Sequence, residues 1–187
     1  VRELALPFDG VPRLRGVVVA ETEYATREAL IEDEPVGRRV SDLTDALPLD
    51  DVFTVGLDLA RLLARVHTAG GVFGSLRPQM TWVERAGDRL SLAGSTPRPE
   101  RYGLLGKGSG CAGSTTPFHA DVFLSDVLAR GEPADVASDV AQLAMMLYRL
   151  ATGRSPFQGD DGPMNVLMRT IRGELAAWKL PVVDPRA

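Results

Sequence analysis

Few residues in this chain could do chemistry unaided. Among 187 residues there is one cysteine, Cys111, and there are two histidines, His67 and His119. A single cysteine excludes an internal disulfide and a cysteine-based zinc cage, and two histidines leave little for a histidine-rich metal site. No cysteine- or histidine-held metal is therefore expected, and neither a metal nor a cofactor is assigned to the chain. The run Gly103–Gly110, GLLGKGSG, has the glycines of a phosphate-binding loop. It lacks the G-x-x-x-x-G-K-(S/T) spacing and a preceding strand, so it reads as a flexible loop. His67 falls near the end of an amphipathic stretch, where a basic side chain suits the negative end of a helix. The remaining chemistry rests on hydroxyls and carboxylates, whose meaning depends on the elements that hold them.

The element that organises the rest is Ser138–Phe157, SDVAQLAMMLYRLATGRSPF. Between Val140 and Ala151 only Gln142 and Arg149 are plainly polar, which predicts a helix buried on nearly every side. Ser138 or Asp135 can cap its start, Gly153 suits a left-handed stop and Pro156 prevents resumption. A second helix is expected over Asp50–His67. There Val52, Val55, Leu59, Leu62, Leu63 and Val66 keep the three-and-four spacing of a core-facing stripe, and Gly70-Gly71 ends it. Gly16–Val19 and Glu28–Glu32 read as two short strands, Glu34–Gly37 as a connector, and Ser41 onward (SDLTDAL) as a brief helical segment. Residues 80–84 and 89–93 read as a hairpin. From Ser95 to Thr116 periodicity is lost, with five glycines and two prolines, and a long irregular loop is expected. A short helix over Asp121–Ala129 and a small amphipathic one opened by Pro163, with Met164, Leu167, Met168 and Ile171 on one face, complete the expectation.

Hydrophobic content of 44% can build a core, and 25% charged residues are usual for a globular chain. The net charge of −4 argues against nucleic acid or an anionic membrane surface as the main partner. No apolar run reaches the ~18–20 residues needed to span a bilayer. A cytoplasmic setting is expected, with no membrane contact from this segment, though a full-length protein could carry an anchor elsewhere. The absence of an initiator Met suggests a trimmed chain.

The stretches LARVHTAGGVFGSLRPQMTWV (residues 63–83) and SDVAQLAMMLYRLATGRSPFQGD, in that order with a hairpin and long loop between them, resemble the bacterial eukaryotic-like (Hanks-type) Ser/Thr protein kinases. That family reads roughly L-H-x-x-G-(I/V)-V-H-R-D-L-K-P-x-N-I-L-V and S-D-V-(Y/W)-x-L-G-x-x-L-Y-x-L-x-T-G-R-x-P-F at these places. The likeness covers about residues 10–175. It implies an α+β, protein-kinase-like fold with a mostly helical C-terminal lobe. Residues 1–37 would be a remnant of the N-terminal lobe (two strands and the hinge). Residues 38–187 would be the C-terminal lobe, truncated after the short helix ending near 173. The Gly-rich loop, the strand lysine and its glutamate partner are missing; Glu3 lies too close to the following strand for that role. The chain thus looks like a piece of a longer protein or a reduced version of the fold.

Kinase chemistry is positioning plus electrostatics on phosphates, and it needs oxygen ligands at set places. The resemblance puts Phe73, Gly74 and Ser75 at H-R-D, Met80 at the metal-binding asparagine, and Leu92, Ala93 and Gly94 at D-F-G. A serine hydroxyl is too weak a base to replace the carboxylate, and thioether sulfur does not hold Mg²⁺. Arg77 keeps a positive charge in place of the family's lysine, and a solvated or loop-pairing role is expected for it. Gly74 removes the arginine that reads a phosphorylated loop. Trp82 replaces the small aliphatic residue beneath adenine and could plug that pocket. Asp139 matches the aspartate that accepts from the H-R-D backbone, Phe73 keeps an aromatic in the internal stack, and Asp126 retains the acid of A-P-E.

The implied function is a catalytically inactive pseudokinase, not an enzyme, acting as a regulatory or scaffolding protein-interaction module. Candidate docking residues are Met164, Leu167 and Met168, with Thr115 and Thr116 in the long loop as phosphate acceptors. The partner would be a phospho-reading domain or an active kinase, and not a nucleic acid. The alternatives are an active or weakly active atypical Ser/Thr kinase, and a nucleotide sensor that binds ATP without Mg²⁺.

Overall fold

The structure is a computed structural model. It describes residues 9–21, 26–74, 76–96, 130, 134–156 and 163–172. Among these residues the elements in chain order are β1 (Leu14–Glu21), β2 (Thr26–Glu32), β3 (Arg38–Arg39), α1 (Leu49–Thr68), β4 (Thr81–Ala86), β5 (Arg89–Ser95), α2 (Val136–Thr152) and α3 (Pro163–Ile171). The architecture of the described residues is α+β, with one two-stranded and one three-stranded antiparallel sheet.

The valine-rich segment GVVVA pairs with EALIE, so β1 and β2 form an antiparallel ribbon. The connector that follows lies on the β4–β5 hairpin. Gly94 is packed so closely on Pro35 that a methyl there would come within 2.8 Å of Pro35 Cγ. β3 then pairs with the start of β4, opposing Arg38 to Val83 and Arg39 to Trp82. The helix expected from Ser41 is only a 3-10 turn, Val40–Asp42. Its Ser and Thr side chains bond to the adjacent aspartates instead, Ser41 Oγ to Asp42 at 3.0 Å and Thr44 Oγ1 to Asp45 at 3.4 Å. Such local bonds compete with helix formation, and Pro48 disfavours helical backbone at Leu47. Leu47 N–H instead donates to the carbonyl of Leu150 near the end of α2.

Helix α1 buries Val52, Val55, Leu59, Leu62, Leu63 and Val66 along one stripe. These residues meet Val40, Phe73, Leu76, Val83, Leu90, Met145, Met146 and Leu150 in one core. Each such side chain contributes about 1.5–3 kcal/mol by leaving water. Asp50 and Asp51 sit in the first turn, Arg65 and His67 in the last, as the helix dipole favours. Gly56 of α1 packs against α2, where a methyl would reach within 2.6 Å of Leu147 Cδ2.

Helix α2 departs from its sequence pattern. Asp135 is its N-cap and Ser138 returns the bond, so the two residues form one reciprocal capping box. Gly153 ends the helix at φ +67°, a left-handed conformation that a residue with a Cβ resists. Yet α2 is not buried on every side. Val136 and Val140 are 47% and 55% exposed, while Ser138, Asp139 and Gln142 lie in the interior. The reason is the loop that this face supports. The expected short helix over Asp121–Ala129 and the Ser95–Thr116 loop lie outside the described residues beyond Thr96.

Candidate functional site

Residues 72–80 carry most of the positions singled out from sequence, and α2 holds them from beneath. Asp139 is wholly buried. Its Oδ2 accepts from Phe73 N–H at 2.7 Å, and its Oδ1 accepts from Gly74 N–H at 2.7 Å. His67, at the end of α1, places Nε2 2.8 Å from the same Oδ2. A carboxylate can only accept, so the imidazole Nε2–H donates here. One turn along α2, Gln142 Oε1 accepts from Leu76 N–H at 2.9 Å. Three loop amides (73, 74 and 76) therefore end on two side chains of one helix face, three residues apart. Gly74 adopts φ +79°, which any larger residue would hold at a cost.

Phe73 and Leu76 fill the core between α1 and α2. Beyond them, residues 78–80 form one 3-10 turn opened by Pro78. Met80 N–H donates to Arg77 C=O, and Met80 C=O accepts from Thr96 N–H at 2.9 Å. Thr81 Oγ1 bonds to Arg77 C=O at 2.8 Å and faces Ser95 Oγ at 3.0 Å. Thr96 Oγ1 donates to Glu32 at the end of β2 at 3.2 Å. Leu92, Ala93 and Gly94 lie inside β5, with Ala93 the extra residue of a bulge. Trp82 is buried, with the Arg39 guanidinium 5.3 Å from its ring centroid. Among the described residues no group of three or more His, Cys, Asp or Glu side chains could hold a metal ion.

The structure thus brings Phe73, Gly74 and Asp139 together, with Met80 in the 3-10 turn that leads into the hairpin and Trp82 and Gly94 on the hairpin. Met168 stands apart on α3, 40% exposed. Ser75, Thr115, Thr116 and Asp126, and the side chains of Met164 and Leu167, lie outside what the structure describes. Sequence reasoning placed His67 only at a helix end and gave Gln142 no role. Its signal for Gln142 was a polar residue inside an apolar helix, three positions after Asp139.

No protein-family model matches the chain. It is 26% identical over 166 residues to a probable serine/threonine-protein kinase of Corynebacterium efficiens, covering 84% of this chain and 24% of that protein. It is 25% identical over 129 residues to a probable serine/threonine-protein kinase of Clostridium perfringens, covering 68% of this chain and 18% of that protein. The chain therefore spans about a quarter or less of the relatives it matches. These likenesses support a kinase-like relationship. They also correct the expectation that the chain is not an enzyme. Both relatives are named as probable serine/threonine-protein kinases, against that expectation. No helix among the described residues is long and apolar enough to cross a membrane.

Proposed function

We propose that this chain is a protein-kinase-like domain that works in regulation through protein contact. Residues 1–37 are the remnant of the N-terminal lobe and 38–187 the C-terminal lobe. The observation that carries the reading is the anchoring of the 73–76 loop. Asp139 and Gln142 accept all three of its described amides, while Ser75, Met80 and Leu92 hold none of the carboxylate or carboxamide groups that the resemblance places there. The loop's shape is maintained, and shape is what a binding partner reads. The partner is a phospho-reading domain or an active kinase, met through α3 and through the segment bearing Thr115 and Thr116. Trp82, covered by Arg39, fills the place beneath the adenine ring.

The names of the relatives favour a second reading, phosphotransfer to Ser/Thr hydroxyls that uses unusual residues, Ser75 among them, supplied partly from outside this chain. One set of measurements separates the two. Thermal shift with ATP, with and without Mg²⁺, is read beside phosphate transfer from Mg-ATP to a Ser/Thr substrate, using parent chain, Ser75→Ala and Trp82→Leu. The Trp82 plug expects a larger nucleotide-dependent shift in Trp82→Leu than in the parent chain. Turnover by the parent chain that Ser75→Ala abolishes would replace the regulatory reading with the second. A Trp82→Leu chain that folds and still binds no nucleotide would remove the plug.

A further inference from the structure

The outer edge of β5 has no strand beside it among the described residues, yet its amides are satisfied. Leu90 and Leu92, two residues apart, point their N–H groups the same way. Leu90 N–H donates to Asp51 Oδ1 at 3.0 Å, and Leu92 N–H to Asp58 Oδ2 at 3.3 Å. The bulge at Ala93 shifts the alternation by one, so the next outward amide is that of Ser95. It donates to Gly10 C=O at 2.7 Å. Asp51 and Asp58 are seven residues apart on α1, two turns along one face.

These aspartates are an expensive way to pack a helix on a sheet. Asp51 is 5% exposed, and burying a carboxylate costs more than burying an apolar side chain of similar size. Its second oxygen is neutralised by Arg85 at 3.1 Å. Their placement on consecutive outward amides supplies what a neighbouring strand would supply. An open edge of this kind is a template for pairing with another chain.

We propose that Asp51 and Asp58 are a guard on the β5 edge. They stand in for a further strand, fix the hairpin on α1 and prevent a second copy of the chain from adding to the sheet. The device is independent of any activity of the domain.

The test uses the whole chain with Asp51→Ala and Asp58→Ala, singly and together, and with the paired Asp→Asn variant. Amide exchange is read at Leu90 and Leu92, and molar mass by light scattering over a range of protein concentrations. Exchange should quicken about tenfold at Leu90 in Asp51→Ala and at Leu92 in Asp58→Ala, the worth of one hydrogen bond. The double alanine chain should gain mass with concentration. The asparagine pair keeps an acceptor oxygen at each place and should retain the parent's mass and protection. Asp58→Ala keeps the test decisive if the double variant does not fold, because the Asp58 side chain is 30% exposed and outside the core. Unchanged exchange at both amides would overturn the proposal. So would self-association of the asparagine pair equal to that of the alanine pair, or faster exchange with no change in mass.

Discussion

Replacing Asp139 by alanine should do more damage than any other single polar change in the described core. Its carboxylate has no exposure and takes three hydrogen bonds, two of them from the backbone of Phe73 and Gly74 at 2.7 Å. Removing it leaves two buried amides without acceptors, at about 1–3 kcal/mol each. The desolvation cost of the carboxylate is relieved at the same time, so the terms partly offset. The His67 ring is 18% exposed and can turn to water, so it adds little. The net loss should be about 3–4 kcal/mol, a large fraction of the roughly 5–15 kcal/mol that holds a domain together. Asp139→Asn should fall between the two, since one oxygen still accepts while the new N–H₂ faces a donor. Urea unfolding followed by circular dichroism gives the energy, and amide exchange at residues 73 and 74 gives its location. His67→Ala is the control and should cost less than about 1 kcal/mol. A loss below about 1 kcal/mol in Asp139→Ala, with residues 73 and 74 still protected, would refute the reasoning. The loop's shape would then come from the burial of Phe73 and from Gln142 alone.

Gln142→Ala should cost about 1–2 kcal/mol by orphaning Leu76 N–H, with exchange rising at residue 76 before residues 73 and 74. Gly153→Ala should lower the unfolding free energy by about 1–3 kcal/mol, read by urea unfolding. The residue sits at φ +67°, and a methyl would approach Ala46 N to 2.8 Å. The Asp135 carboxyl is held below its usual value near 3.8, first by the Ser138 hydroxyl and then by its amide. A group whose pKa is depressed by folding contributes stability above its unfolded value. That contribution is lost as pH falls through 3.8 toward the lower folded value. Thermal unfolding across that window should therefore show a fall in the parent chain that Asp135→Ala lacks. Equal slopes in the two chains would remove the capping box as its source.

Helix α1 and the hairpin are legible from sequence because their signals are local. Apolar spacing selects one face of α1, and the Gly87-Asp88 turn sets the β4–β5 hairpin. The failures share a physical origin too. Hydropathy marks Val140 of α2 as core and Gln142 as the misfit, and the structure reverses both assignments. The face of α2 that carries Ser138, Asp139 and Gln142 meets an irregular loop, and buried backbone amides must find acceptors. Apolar side chains cannot supply them, so the polar residues go inward and the valines go out. Nothing near α2 in the chain announces this, because the loop lies 65 and 66 residues earlier in the chain. His67 follows the same rule. Read within α1 it is a dipole-matched end residue, while its bond to Asp139 crosses 72 residues. A polar residue inside an otherwise apolar helix is therefore best read as a request for a backbone partner. In this chain Asp139 and Gln142, three apart on one face, already state how far apart those partners must be.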